Sequence, residues 1–160
     1  MIADVLGHTV TEIQTRAIGN SGGHVRFDPA EGLSRADEHW HNLLILFAPI
    51  GLNQGCAQGD DVRAFSHLTQ IIGAGEKPTG YDGMLTLSVL HRAAIARARE
   101  LVDEHRVAII LLTGVLLEER NLAGDRLAET MRKIHNTPSA EELIARGRAG
   151  SVDSGVRDER

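Results

Sequence analysis

The sequence predicts a compact, mainly α domain of about five helices with a small β element near the N-terminus. Three observations carry this. Aromatic residues make up 3% of the 160 positions while hydrophobic residues make up 42%, so the core is aliphatic, whereas a β-sandwich would want more Tyr, Phe and Trp. Leu87, Leu90, Ala94, Ala98, Leu101 and Val102 recur at helical spacing, with Arg92, Arg99 and Asp103 on the other face. Capping and breaking residues divide the rest of the chain into segments of helical length.

Taken in order, Ile2, Val5 and Leu6 followed by Gly7 read as the last turns of a helix with a glycine C-cap. Val10 to Ala17 alternates loosely and suggests a strand. Gly19-Asn20-Ser21-Gly22-Gly23 is a turn, and His24-Val25-Arg26-Phe27 is a second short strand, giving either a hairpin or two edge strands. Ser34, with Asp37 three residues on, opens a helix carrying Trp40, Leu43, Leu44 and Phe47, which Pro49 and Gly51 should end. A loop through Gly55 and Gly59 follows. Asp60 then caps a helix through Val62, Phe65, Leu68, Ile71 and Ile72, stopped by Gly73-Ala74-Gly75. Glu76 to Gly83 is a loop, and the long amphipathic helix comes next. Val107–Leu117 is apolar all round and reads as a buried helix. Asn121-Leu122-Ala123-Gly124 turns the chain, and Asp125 caps a last helix to about His135. Residues 1–136 make up the folded domain, and the polar tail 137–160 is predicted disordered apart from a turn near Glu141–Ala145.

Composition excludes several partners. Net charge is −5 without a basic stripe, so nucleic acid is not expected. The apolar runs Leu43–Ile50 and Val107–Leu117 fall short of the ~20 residues a bilayer span needs, so no membrane partner is expected. The start Met1–Leu6 lacks the basic region of a signal peptide. Cys56, the single cysteine, excludes an internal disulfide and fits a reducing cytoplasm.

Few residues suggest chemistry by themselves. His39 and His41, two apart, point about 200° apart on a helix, where a zinc pair wants four, and so read as a surface pair. His24 reads as an exposed strand residue or as one that meets a peptide. Asp60 and Asp61 read as an N-cap and a first-turn charge, or as a carboxylate pair. Cys56 with His67 is a weak nucleophile pattern, and Gly73-Ala74-Gly75-Glu76-Lys77-Pro78 lacks the ending of a phosphate-binding loop.

Several stretches, in order, resemble the zinc peptidase domain of FtsH-type AAA proteases. Ala96–Arg106, continued by Leu116-Leu117-Glu118-Glu119-Arg120-Asn121-Leu122-Ala123-Gly124-Asp125, is similar to that family's C-terminal helical pair. Gly59-Asp60-Asp61-Val62-Arg63 resembles the segment whose aspartate is the third zinc ligand, and Asp61 matches by register. Val5-Leu6-Gly7-His8-Thr9-Val10 looks like the segment after the catalytic helix. Ile18–Val25 looks like the strand turn whose second strand lies along the substrate, which makes Gly23, His24 and Val25 the implied substrate-binding residues. The resemblance spans roughly residues 1–134.

The family's H-E-x-x-H does not occur in these 160 residues, nor does a P-loop, and no catalytic residue carries over. That motif supplies two zinc ligands and the general base. The resemblance implies that it belongs just upstream of Met1. Zinc is accordingly expected only in an N-terminally extended form, with Asp61 as a ligand, and none in the chain as given. The expected function is a metallopeptidase-like domain, inactive as written, whose partner is a peptide or unfolded protein. The rival readings are a pseudo-peptidase with a peptide-binding strand at Gly23–Phe27, and a homo-oligomeric assembly module.

Overall fold

A computed structural model describes residues 1–15, 23–52 and 60–137. The elements run α1 (Ile2–Val5), β1 (Thr9–Gln14), β2 (His24–Asp28), α2 (Arg35–Gly51), α3 (Asp60–Ala74), α4 (Leu87–Glu104), α5 (Arg106–Glu119), β3 (Asn121–Ala123) and α6 (Gly124–His135). The protein is mainly α with one small antiparallel sheet, as its aliphatic composition predicts. The turn expected at Gly19–Gly22, the loop with Gly55, Cys56 and Gly59, and nearly all of the polar tail, including Glu141–Ala145, lie outside the described residues.

The larger core joins α1, α2, α3 and α4. Ala36, Trp40, Leu43, Leu44 and Phe47 line the inner face of α2 and meet Ala64, Leu68 and Ile71 of α3 and Leu90, Ala94, Ala98, Leu101 and Val102 of α4. The start of α2 is fixed as its sequence suggests. Ser34 Oγ accepts from the Asp37 N–H at 3.1 Å and donates to Asp37 Oδ2 at 2.9 Å. The same carboxylate accepts from the Thr79 N–H at 2.5 Å and the Thr79 hydroxyl at 3.1 Å, which ties the 76–83 loop to the helix.

Pro49 lies inside the last turn of α2, which runs on to Gly51. A Cβ at Gly51 would stand 2.9 Å from Val102 Cβ and 3.3 Å from Arg99 Cα, so this glycine lets α2 and α4 meet. Helix propensity alone favours alanine over glycine by about 1 kcal/mol, whereas overpacking costs about 1–3 kcal/mol. Gly51→Ala is therefore expected to lower the melting temperature by several degrees. A thermal melt followed by circular dichroism, unchanged or raised in the variant, would contradict this packing.

The smaller core lies under the sheet, where Ile13, Leu112, Leu122, Leu127, Met131 and Ile134 come together from β1, α5, β3 and α6. The strand order is β2-β1-β3, antiparallel throughout. Ile13 stands opposite Val25 on one side and Leu122 on the other. The register shifts between Val10 and Glu12, a bulge that bends β1 near its start.

Three expectations are corrected. Asn121–Ala123, expected to be a turn, forms β3, because β1 offers an open edge and Leu122 fills the core at 0% exposure. A three-residue strand leaves no periodicity to read. Asp125 is not the cap of the last helix but a first-turn acid within it, the helix opening at Gly124 with φ +52°. α5 is not buried all round. Only Leu112 is fully covered, while Ile110 and Leu117 are 63% and 77% exposed. One side of the helix packs on the smaller core, and nothing among the described residues covers the other.

No helix among the described residues is long and apolar enough to cross a membrane.

Candidate peptide-binding edge and its histidine neighbours

The three residues implied as substrate-binding stand at the outer strand of the sheet, in different roles. Gly23 precedes β2 and packs against β1. A Cβ there would come within 1.9 Å of the Gln14 carbonyl oxygen and 2.7 Å of Thr15 Cα, so the hairpin closes only around glycine. His24 leans across the sheet toward β1 with its side chain 39% exposed, and only its Nε2, 3.6 Å from Glu12 Oε2, is shielded from solvent and without a hydrogen-bond partner. The same Glu12 carboxylate meets Arg26 Nη1 at 3.2 Å. Val25 differs from both. It continues the apolar row Leu122–Ile13 across the sheet but is 47% exposed, because the helices that cover Ile13 stop short of it. The far side of β2 pairs with no other strand among the described residues.

Histidines cluster behind this edge. His8 is 4% exposed. Its Nδ1 accepts from the Ala30 N–H at 3.0 Å, and its ring lies 5.0 Å from that of Phe27 on β2. Because Nδ1 is an acceptor, the neutral ring carries its proton on Nε2, which faces His41 Nδ1 at 3.3 Å. His41 therefore accepts on Nδ1. A second pair joins α2 to α3, with His39 Nδ1 and His67 Nδ1 3.0 Å apart. Neither pair holds two charged rings comfortably. Burial lowers the pKa of His8, against the pull of Glu38. Burial and then the facing His8 lower that of His41, against Asp37. Burial and then the facing His39 lower that of His67, against Glu38.

His39 and His41 thus diverge around α2, as their spacing predicts, but they are half-buried partners of other histidines and do not form the surface pair expected. Sequence reading missed both pairs, whose members lie 33 and 28 residues apart.

Asp61 lies exposed in the first turn of α3 beside Asp60, which forms a long ion pair with Arg63 at 4.0 Å. No group of three or more His, Cys, Asp or Glu among the described residues is placed to hold a metal ion. Asp61 by itself does not fit zinc, which needs three or four protein ligands, and no chemical step is assigned through it. The chain matches no known family model and no curated protein.

Proposed function

We propose that this chain is a metallopeptidase-like domain of the FtsH type that engages extended segments of unfolded proteins at the outer edge of β2. The observation that carries the reading is the position of β2. It is an edge strand of the sheet, no strand among the described residues pairs with its far side, and Val25 offers an apolar seat there. An extended peptide adds to such an edge through main-chain hydrogen bonds, and alternate side chains settle on the exposed face. The order of the family-like segments, from Val5–Val10 through Ile18–Val25 and Gly59–Arg63 to Ala96–Asp125, supports the same reading.

Peptide cleavage is not part of this proposal for the chain as given, which contains no H-E-x-x-H. Zinc belongs only to a form extended by that segment, with Asp61 as the acidic ligand. A single cysteine in 160 residues suits a reducing cytoplasm, where we place the domain.

Fluorescence anisotropy with a labelled, unfolded casein peptide tests the reading. Val25→Lys removes the apolar seat and sets a charge at the edge, and is expected to weaken binding roughly tenfold, about 1.4 kcal/mol. No binding by the unmodified protein, or equal binding by the variant, would count against the proposal.

A further inference from the structure

α5 carries two apolar faces, and the described residues cover one of them. Ala108, Leu112, Val115 and Leu116 turn to the smaller core. The opposite face runs through Ile110, Gly114 and Leu117, with Val107 and Leu111 beside them. A helix apolar all round is ordinarily covered all round.

The outward face is self-complementary. If a second α5 lies antiparallel against it, with the two-fold axis at the level of Leu112, positions equidistant from that residue meet. Ile110 then stands level with the partner copy's Gly114 position, a large side chain against a notch. A Cβ on Gly114 would meet nothing within 4 Å of its own chain, so the notch is open. Val107 stands level with position 117, apolar against apolar. Arg106 stands level with position 118, a cation against an anion at each end of the pair, and Arg106 and Glu118 are both exposed. A parallel pairing would instead set Arg106 beside Arg106 and Glu118 beside Glu118, which like charges oppose.

The neighbouring charges are already engaged. Asp103 bonds Arg106 at 2.5 Å, which leaves other guanidinium N–H groups to donate. Glu119 is held by Arg126 of α6. We infer that the outward face of α5 is the seat of a second copy of this chain, joined in a two-fold antiparallel pair. The inference stands apart from the peptide-binding reading, and its readout is mass rather than peptide affinity.

Sedimentation velocity on the purified chain, up to roughly 100 µM, where a dimer of micromolar Kd is almost wholly associated, is expected to show twice the 17.3 kDa chain mass. Leu117→Asp, at a site 77% exposed, is expected to give a monomer with an unchanged far-ultraviolet circular dichroism spectrum. Arg106→Glu and Glu118→Arg should each raise the dissociation constant roughly tenfold, and the double variant should restore it. A monomer throughout, a trimer or larger, a dimer that survives Leu117→Asp, or single reversals that the double variant fails to rescue would each overturn the pairing.

Discussion

Gly23→Ala is expected to open the β1–β2 hairpin, at a cost of about 3 kcal/mol. The added carbon would fall within 1.9 Å of the Gln14 carbonyl oxygen and 2.7 Å of Thr15 Cα. Both obstacles are backbone, so no side chain can rotate away to make room. The Gln14–His24 pairing must separate, and with it goes the support that holds β2 as the outer strand. Urea denaturation should show the loss of stability, and amide exchange should show faster exchange across His24–Asp28 than in the parent. An unchanged denaturation midpoint would mean that the strands do not approach as closely as described.

Acid is expected to weaken the fold well before its carboxylates protonate. Burial holds the pKa of His8, His41 and His67 below the ordinary histidine value, and the facing rings add to this at His41 and His67. The unfolded chain therefore binds protons more readily than the folded one as pH falls below about 6.5. The stability these neutral rings contribute is present above that pH and is lost as pH descends toward the folded-state values. The melting temperature should drop by several degrees between pH 7 and pH 5, roughly 3 °C for each kcal/mol. His67→Gln should flatten part of the descent, because its amide can keep a hydrogen bond to His39 without taking up a proton. A melting temperature indifferent to pH across this range would contradict the two histidine pairs.

How legible the molecule was in its sequence depended on the range of the forces that shaped each part. The inner face of α2 and the long stripe of α4 were plain, since helical spacing alone sorts Leu43, Phe47, Leu90 and Val102 to the inside. The Ser34–Asp37 cap was equally plain, being a bond between residues three apart. β3 was not, because its single inward residue, Leu122, owes its conformation to Ile13 more than a hundred positions earlier. The apolar run of α5 was correctly read as a helix and wrongly as fully buried, since hydropathy reports that a face wants cover and not whether this chain supplies it.

The candidate site shows the same division. The second strand at His24–Phe27 was legible from turn and strand residues, while its edge position and the approach of His24 to Glu12 were set by pairing. The histidine pairs left no local trace. A lone histidine after Gly7 and another midway along α3 become partners of α2 only when the chain folds.

An extended peptide is expected to add along β2. Hydrogen–deuterium exchange of the protein with and without saturating unfolded casein peptide tests it at the residues concerned. The expected result is slower exchange confined to the β2 segment, His24–Asp28, with α3, α4 and the 76–83 loop unchanged. Protection that appears elsewhere, or none at all while the peptide is bound, would contradict it.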